Sequence, residues 1–400
     1  MTRTILDIHI LQTVPPSNLN RDDTGSPKTA VYGGVRRSRV SSQAWKSVTR
    51  RAFGDLLKPE ELGVRTKRVV ELIATRMRAL EPALGEVEAT AVAAEMVKAA
   101  TGAKVEVPKR KADSAKKNEG ESAPEARGAE TSYLMFLSVR QLDSLAALGV
   151  EGSKDIAGFL KEKENKQRVR EAADTLHSVD IALFGRMVAD ASDINVDAAA
   201  QVAHAISVHA VENESDYFTA MDDESTKAEP GAGMIGTVDF NSATLYRYAA
   251  VDVDQLAKNL GTGLRDGGET GEPVRRALQA FVEGFIASMP TGKVNTFGNH
   301  TLPDAVIVKL RTTRPVSFAS AFEEPVEPGE GGGYLKAACD RLAQYVPAIE
   351  RAYGMPADQT WVLRAGAGTD ALESLGDQVT LAELVESAGA QAAVRVAAAA

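Results

Sequence analysis

Residues 4–11 read TILDIHIL, a stretch in which apolar and polar side chains alternate. Leu6, Ile8 and Ile10 fall on one side of an extended chain, and Asp7 and His9 fall on the other. An alternation with a period of two predicts a half-buried strand, because successive strand residues point to opposite faces of a sheet. We therefore expect the chain to begin with a strand whose apolar face packs on a core.

The next segment, QTVPPSNLNRDDTGSPKTAVYGG (residues 12–34), is rich in the residue types that interrupt regular structure. It predicts a long loop that returns to the body at Val31 and Tyr32. Loops of this length are often functional. The Gly33-Gly34 pair at its end gives the backbone freedom just before a run of basic residues.

That basic run, GGVRRSRVSSQAWKSVTRR (residues 33–51), contains no acidic residue, although the formal net charge of the chain is −9. No carboxylate occurs between Asp23 and Asp55. The interval holds seven cations: Lys28, Arg36, Arg37, Arg39, Lys46, Arg50 and Arg51. So uneven a distribution of charge predicts an anionic ligand in an otherwise acidic protein.

Residues 41–57, SSQAWKSVTRRAFGDLL, predict a helix capped by Ser41 or Ser42. The apolar stripe of this helix consists of Trp45, Val48, Ala52 and Leu56. Its exposed amides and dipole favour an anion, the serine hydroxyls are donors, and arginine offers forked donors that match phosphate oxygens. The alternative is a solvated basic face on an ordinary surface helix.

The composition of the 400-residue chain, 44% hydrophobic and 25% charged, predicts a soluble globular protein with one large core or two smaller ones. The single cysteine, Cys339, cannot form an intramolecular disulfide. The first residues hold no apolar run long enough for a signal or a membrane helix. We therefore expect a cytoplasmic protein without a membrane partner.

The middle of the chain predicts a separate helical lobe that is interrupted by a polar insert. Helical spacing of apolar residues runs from Pro59 to about Thr101, and helices resume after YLMFLSV (residues 133–139) as far as Leu176. Residues 104–130 are charged and hold almost nothing to bury, which predicts a flexible surface loop. The basic half of this loop could instead touch nucleic acid.

Residues 212–239 are polar and glycine-rich, and the strand-like SATLYRYAAVDV (residues 242–253) follows them. A protruding hairpin explains this pattern better than a core element. Its apolar residues are Tyr217, Phe218, Met221, Met234 and Ile235. Such side chains on a protrusion predict a wedge that stacks on bases or docks on a neighbour, unless they fold back on the body.

No catalytic or metal-binding motif stands out. The five histidines are His9, His177, His204, His209 and His300, and none lies in an HExxH motif. The five-residue spacing of His204 and His209 does not suit shared ligation on a helix. The glycine-rich residues 261–273 lack the GK[ST] ending of a phosphate-binding loop. We expect no metal and no cofactor.

Residues 305–310 predict a core strand, and VRRALQAFVEGFIASM (residues 274–289) predicts a helix before it. Strands and helices spread along the chain with large insertions predict an α+β fold with a ferredoxin-like or RNA-recognition-like sheet. The strands lack the aromatic signature of an ordinary RNA-recognition motif, so stacking on the sheet itself is not expected.

Six segments, in this order, resemble one known family. They are NLNRDD (18–23), YGGVRRSRVSSQAWKS (32–47), VDIALFGRM (179–187), AHAISVHAVENESDYFTAMDD (203–223), GTVDFNSATLYRYA (236–249) and MPTGKVNTFGN (289–299). The family is CasC, of the RAMP superfamily, the backbone subunit of the type I-E Cascade CRISPR surveillance complex. The resemblance covers most of residues 5–325.

The resemblance implies a hand-shaped α+β protein with a modified ferredoxin-like, RNA-recognition-like palm, a helical finger insertion and a thumb hairpin. The palm would comprise residues 1–58, 177–210 and 241–400, the fingers 59–176, and the thumb 211–240. Copies of such a subunit stack head to tail along one CRISPR RNA, and each thumb wedges into the guide. The implied partners are the CRISPR RNA, the target DNA strand paired to it, further copies of the chain, and the other Cascade subunits: the large subunit, the small subunits, the guide-end-binding subunit and the repeat endoribonuclease.

The same resemblance implies RNA-binding roles for individual residues. The loop and basic block contribute Arg21, Lys28, Arg36, Arg37, Arg39, Ser41, Gln43 and Lys46. Arg186 and Met187 match the position beside the displaced base, Tyr217, Phe218 and Met221 match the wedge, and Lys293 and Asn295 are further candidates.

The family role requires no catalysis, so we expect a non-enzymatic subunit that preorganises the guide for pairing in antiviral defence. Two alternatives remain open. A repeat-RNA-cleaving endoribonuclease of the same superfamily would use a histidine such as His9 as general base. A metal-dependent nuclease would use Asp222 or Asp223.

Overall fold

The computed structural model describes residues 3–106, 129–188, 194–220, 234–261 and 271–399. Its strands are β1 (Ile5–Ser17), β2 (Thr29–Tyr32), β3 (Val35–Val40), β4 (Gly63–Thr66), β5 (Val105–Glu106), β6 (Glu130–Thr131), β7 (Met135–Ser138), β8 (Ala200–Val202), β9 (Ala205–Ser207), β10 (Glu214–Ala220), β11 (Met234–Asp252), β12 (Ala305–Arg311), β13 (Gln359–Arg364) and β14 (Asp377–Gln378).

The α-helices are α1 (Ser42–Leu56), α2 (Val69–Leu80), α3 (Glu86–Thr101), α4 (Val139–Glu151), α5 (Ile156–Lys161), α6 (Lys163–Asp174), α7 (Val179–Phe184), α8 (Val253–Leu260), α9 (Glu272–Ala287), α10 (Val294–Phe297), α11 (Leu335–Tyr353) and α12 (Leu381–Ala399). Within the described ranges, no helix is both long enough and apolar enough to cross a membrane.

The chain divides into two compact units. The first comprises Met1–Leu56, Ala200–Asp254 and Val274–Ala400, and the second comprises Leu57–Ala199 and Gln255–Pro273. Residues 177–199 therefore lie in the second unit, together with the helical lobe. The boundaries of palm, fingers and thumb stay predictions, because compactness alone does not define them.

The first unit is built on a ten-stranded sheet, and β1 lies near its centre. The main strand order is β14-β13-β12-β1-β11-β9-β3-β2, and β8 and β10 also pair with β11. The long strands β11 and β12 flank β1, and both run antiparallel to it. The fold is therefore of the α+β class, as predicted.

The prediction that β1 is half-buried is wrong, because both of its faces are covered. Asp7 and His9 point away from Leu6 and Ile8, as the alternation predicts, but they are also buried. The Asp7 carboxylate accepts hydrogen bonds from Arg311 Nε at 2.8 Å and from the Tyr248 hydroxyl at 2.9 Å. A buried carboxylate with these partners needs no contact with water.

Helix α11 and the 3₁₀ turn Ala319–Phe322 cover this polar side of β1, with Phe318 just before the turn. The core here includes Leu11 of β1, Phe318, and Leu342 and Val346 of α11. The His9 ring stacks on Phe318 with centroids 4.0 Å apart. Asp7 and His9 are thus covered by a segment more than 300 positions further along the chain.

Helices α1 and α9 cover the opposite face of the sheet. The Arg247 guanidinium of β11 lies 3.7 Å from the centroid of the Trp45 ring of α1 and 4.8 Å from the centroid of the Phe285 ring of α9. Arg247 also donates a 2.7 Å hydrogen bond to Gln12 Oε1 of β1. Side chains from four elements therefore fix α1 on the sheet.

The structure differs from one sequence prediction about this unit and agrees with two others. The loop predicted over residues 12–34 is shorter, because β1 continues through Pro15 and Pro16 to Ser17, with an irregularity in register between Val14 and Ser17. The strand predicted at residues 305–310 is confirmed as β12, which is buried along its whole length. Helix α9 is likewise confirmed where the sequence predicts it.

The second unit is mainly helical, as predicted for the lobe. Its core is formed by α2, α3, α4 and α6, with Met77, Met96, Leu145 and Val169 among its buried residues. Strands β4 and β7 form a two-stranded sheet, as do β5 and β6. Most of the predicted insert at 104–130 lies outside the described residues.

Candidate nucleic-acid interface

The loop of residues 18–28 carries Arg21 and Lys28 and is fixed at both ends by hydrogen bonds. The buried Asn18 side chain donates to the carbonyl oxygens of Gly25 (2.9 Å) and Asp239 (2.8 Å). The tip of the loop is a turn in which Asp22 Oδ1 accepts hydrogen bonds from the amides of Thr24 at 2.9 Å and Ser26 at 3.1 Å. The loop therefore presents its side chains from a defined backbone.

Asn20 connects this loop to the start of α1. Its side-chain oxygen accepts from the Ser41 amide at 2.9 Å, and its carbonyl oxygen accepts from the Lys28 amide at 2.9 Å. The Lys28 carbonyl oxygen in turn accepts from the Arg39 amide at 2.9 Å. The backbone thus brings Lys28, Arg39 and Ser41 together on the first unit.

Lys28, Arg39 and His204 form a basic cluster. Arg39 Nη1 lies 3.2 Å from His204 Nδ1, and Arg39 Nε donates to the Thr29 carbonyl oxygen at 3.3 Å. Partial burial, followed by the positive charges of Arg39 and Lys28, lowers the pKa of His204. The histidine is therefore the neutral member of a site whose other two members are cationic.

The first turn of α1 adds donors beside this cluster. The Ser41 hydroxyl accepts from the Ala44 amide at 3.3 Å, so Ser41 is the cap, and the first turn contains no acidic residue. Gln43 is exposed and Lys46 is half-buried, and burial lowers the pKa of Lys46. A helix N-terminus with these side chains attracts anions.

Several of these cations have no internal partner. Among the described residues, Arg21, Lys28, Arg36 and Lys46 make no side-chain hydrogen bond or ion pair with another protein group. Cationic side chains that stay unpaired in an acidic protein are available to an external anion. These four cations of the loop and the basic run therefore have no side-chain partner among the described residues.

The hairpin of β2 and β3 presents Arg36. Gly33 and Gly34 form its two-residue turn, with φ values of 60° and 77° that match a type I′ turn. Arg36 pairs across the strands with Val31, and both side chains are exposed. A Cβ on Gly33 would lie 1.6 Å from the Glu323 carbonyl oxygen, so only glycine fits there.

Arg37 requires a correction, because its side chain is fully buried. Its guanidinium donates to four backbone carbonyl oxygens: those of Tyr32 at 3.1 Å, Ser207 at 3.1 Å, Phe322 at 2.9 Å and Glu323 at 3.0 Å. With four of its five N–H donors occupied and its side chain fully buried, it cannot contact a phosphate in this conformation. We therefore assign Arg37 a structural role.

The predicted arm is an antiparallel hairpin of β10 with the first part of β11, here called the thumb hairpin (Glu214–Ala220 and residues 234–240). Tyr217 is 74% exposed and Phe218 is 42% exposed. A Cβ on Gly236 would lie 2.4 Å from Phe218 Cζ, so the ring covers the glycine on the opposite strand. Met221 lies outside the described residues, and of Met234 and Ile235 only the backbone is described.

The loop that carries Lys293 and Asn295 contacts the same region. Gly292 packs so closely on the carbonyl oxygens of Asn18 and Leu19 that a Cβ would lie 2.5 Å and 2.3 Å from them. Phe297 of α10 packs on Phe240 at the base of the thumb hairpin, with centroids 5.7 Å apart. Lys293 is half-buried and Asn295 is exposed, beside the loop of residues 18–28.

Arg186 and Met187 lie in the second unit and differ from each other. Arg186 requires the same correction as Arg37: it is buried, and Nε donates to the Ile194 carbonyl oxygen at 2.7 Å. Its Nη2 lies 3.4 Å from Asp174 Oδ1, and burial lowers its pKa to about 10. Met187 next to it is 89% exposed and free to contact a partner.

His9 offers no accessible general base. It is buried, and its Nδ1 is hydrogen-bonded to the Tyr246 hydroxyl at 2.9 Å. Burial lowers its pKa well below the usual range. Asp222 and Asp223 lie outside the described residues, and the described part of the chain contains no group of three or more histidine, cysteine or acidic side chains that could hold a metal ion.

Two residues of this site were missed by the sequence analysis. His204 was considered only as a metal ligand, and Asn20 only as part of a loop. The roles of both depend on residues that are distant in sequence, Arg39 and Ser41 respectively, so no local pattern indicates them.

The chain belongs to the CT1975-like protein family, whose model matches residues 6–387. It is also similar to chains of known structure. One, from a structure named "CRISPR RNA-guided surveillance complex, pre-nicking", is 35% identical with a TM-score of 0.77, and the match covers 97% of this chain and 100% of that one. Another, from a "CRISPR RNA-guided surveillance complex", is 31% identical with a TM-score of 0.68, over 97% of this chain and 99% of that one. A comparison with curated proteins found no match.

Proposed function

We propose that this chain is a non-catalytic CRISPR RNA-binding backbone subunit of a type I-E Cascade surveillance complex and acts in antiviral defence. The observation that carries the proposal is the basic cluster of Lys28, Arg39 and His204 beside the start of α1, in which Lys28 has no side-chain partner among the described residues. The similarity over 97% of the chain to a subunit of an RNA-guided complex supports it.

The sheet order supports a ferredoxin-like palm within the first unit. The order β12-β1-β11-β9 is antiparallel, with α1 following β1 and α9 preceding β12. That arrangement corresponds to the βαββαβ connectivity of the RNA-recognition class. The long insertions between these elements then supply the thumb hairpin and the helical second unit.

The geometry fits a protein that binds the shape and phosphates of its guide. Lys28, Arg39, Lys46 and the α1 amides would contact phosphates, and Tyr217 on the thumb hairpin would stack on or between bases. Phosphate contacts position a nucleic acid without reading its sequence, which is left to pairing between guide and target strand. A guide held in this way loses less entropy when it pairs.

The partners in this proposal are the CRISPR RNA, the target DNA strand paired to it, and further copies of the chain arranged head to tail. The other Cascade subunits complete the assembly. The whole chain has a net charge of −9, so the part outside the basic cluster is acidic and would limit nonspecific binding to nucleic acid.

The competing endoribonuclease is less well supported, because His9 is buried and hydrogen-bonded to Tyr246. An RNA phosphodiester cannot approach its ring without opening the core around Phe318. Cleavage of repeat RNA that is lost in His9→Gln, with the fold retained, would nonetheless establish that alternative.

The proposal is tested by the salt dependence of RNA binding. Each phosphate contact to single-stranded RNA contributes about 0.7 to the slope of log affinity against log salt. Lys28→Ala and Lys46→Ala should each weaken binding to a labelled single-stranded RNA and make this slope shallower by about that amount. Fluorescence anisotropy over a potassium chloride series measures both quantities.

Lys336→Ala is the matched control, because Lys336 is an exposed lysine paired with Asp340 at 3.0 Å on α11. It should leave the slope unchanged. Equal slopes for the wild type, Lys28→Ala and Lys46→Ala would refute the assignment of the basic cluster. Purification of the tagged chain from its native host as a bare monomer without short RNAs would refute the subunit role.

A further inference from the structure

We propose that His204 is a guide-binding residue whose protonation is coupled to RNA binding, and that this protonation releases Arg39 toward a phosphate. The inference rests on the proposed function, since it concerns how the same basic cluster engages RNA. It assigns a role to a histidine that the sequence analysis considered only as a metal ligand.

The contact with Arg39 defines the tautomer of His204. The two atoms, Arg39 Nη1 and His204 Nδ1, are 3.2 Å apart, and a guanidinium has donors only. Nδ1 must therefore be the acceptor, which leaves the proton of the neutral ring on Nε2. In this state His204 holds Arg39 in place.

The backbone fixes this geometry. Arg39 of β3 is paired with Ile206 of β9, and His204 directly precedes β9. Arg39 Nε also donates to the Thr29 carbonyl oxygen at 3.3 Å. Arg39 is thus oriented from two sides, by a backbone carbonyl that cannot titrate and by an exposed imidazole that can.

A proton on Nδ1 would place a donor against a donor and break the contact. Arg39 Nη1 would then be free to donate to an external oxygen while Nε stays on Thr29. The imidazolium would become a third cation beside Lys28. Protonation of a single ring therefore both adds a charge and frees a forked donor that matches phosphate.

The charged groups that face His204 oppose this protonation in the free protein. They are Arg39 of β3 and Lys28 of the loop 18–28, and with partial burial they lower the pKa of His204. A phosphate bound between them would offset their charge and raise that pKa. By linkage, RNA that raises the pKa of His204 binds more tightly as the pH falls from the pKa of the RNA-bound protein to the lower pKa of the free protein.

The experiment measures the affinity of the full-length chain for a fluorescein-labelled, mixed-sequence single-stranded RNA between about pH 8 and about pH 6. Wild-type affinity should rise on acidification, by at most about tenfold per pH unit for one coupled proton. His204→Gln keeps an acceptor for Arg39 but cannot titrate. The affinity of this variant for the RNA should therefore not rise on acidification. His300→Gln, which removes an exposed histidine outside the proposed site, should retain it.

A double-mutant cycle with Arg39→Lys tests the coupling between the two side chains. If protonated His204 acts by releasing the arginine, replacing His204 should change the pH dependence of RNA affinity less in the Arg39→Lys protein than in the wild type. Histidine-ring NMR should also show the His204 pKa rising when the RNA is added.

The outcomes separate this inference from the function on which it rests. RNA binding with the same pH dependence in wild type and His204→Gln would overturn the role of His204 and leave RNA binding intact. Absence of RNA binding by the wild type at every pH would overturn the proposed function, and this inference with it.

Discussion

The Arg37 guanidinium donates a 2.9 Å hydrogen bond to the carbonyl oxygen of Phe322, which lies 285 residues further along the chain. It also bonds the carbonyls of Tyr32, Ser207 and Glu323. One buried side chain therefore connects the β2–β3 hairpin, β9 and the 3₁₀ turn over the core. The hairpin that carries the exposed Arg36 depends on this neighbour for its position.

Replacing Arg37 should therefore affect stability. Arg37→Ala removes the donors of four carbonyl oxygens and leaves a cavity, so the free energy of unfolding should fall by about 2–4 kcal/mol. Arg36→Ala, one position away and exposed, should change it by less than about 0.5 kcal/mol. Urea unfolding of the two variants makes the comparison, and equal stabilities would contradict the structural role of Arg37.

Gly33 and Gly34, which form the turn of the same hairpin, allow a second comparison of stability between two neighbouring substitutions. Gly34→Ala meets no atom within 4 Å and should cost about 1–2 kcal/mol, the penalty for a positive φ. Gly33→Ala carries the same penalty and also collides with the Glu323 carbonyl oxygen, so it should cost about 3 kcal/mol or more. Thermal unfolding of both variants measures the difference, and a Gly33→Ala protein as stable as Gly34→Ala would mean that Gly33 does not pack on Glu323.

Local patterns predicted the elements of the fold whose signals are local. The helix at residues 41–57, the strand at 305–310 and the thumb hairpin all follow from spacing, capping and turn residues. The burial of β1 could not be predicted in this way. Asp7 and His9 look solvent-facing in sequence, and only the pairing of β1 with β12 brings Arg311 to Asp7.

The site shows the same division between local and distant information. The structure leaves Arg36 and Lys46 of the basic run without a side-chain partner among the described residues, and the anion that the charge pattern predicts for this run stays a prediction. It could not separate Arg36 from Arg37, because adjacent strand residues point to opposite faces and only the distant Phe322 and Glu323 show which face is covered. Arg186 is a comparable case, since its partners Ile194 and Asp174 are known only from the fold.

A third prediction concerns the pH dependence of stability in the second unit. His177 is buried, and its Nδ1 accepts from Gln141 Nε2 at 3.0 Å. Burial, with the nearby positive charge of Arg186, lowers its pKa to about 4. A histidine whose folded pKa lies below its unfolded value of 6.5 stabilises the protein above pH 6.5, and this contribution is lost as the pH falls toward 4.

His177→Gln removes this titration. The free energy of unfolding of the variant should be lower than that of wild type near pH 7.5. This difference between the two proteins should narrow by up to about 3 kcal/mol near pH 4.5. Denaturant unfolding at a series of pH values measures the gap, with His300→Gln as an exposed-histidine control. A gap that is constant with pH would mean that His177 titrates alike in the folded and unfolded chains.

The last prediction concerns the thumb hairpin, where two neighbouring aromatic residues should behave differently. Phe218 covers Gly236 on the opposite strand and so stabilises the hairpin, whereas Tyr217 is 74% exposed and has no such partner. If the hairpin wedges between guide bases, Tyr217→Ala should lose about 1–3 kcal/mol of stacking, a decrease in RNA affinity of about 5-fold to about 150-fold. It should also reduce the fluorescence change of an RNA that carries a fluorescent purine analogue, because fewer bases are unstacked.

Tyr353→Ala removes a tyrosine that is 71% exposed on α11, and it should change neither signal. Equal RNA binding by Tyr217→Ala and Tyr353→Ala would exclude Tyr217 as the wedge, because the two substitutions differ only in whether the lost ring lies on the hairpin.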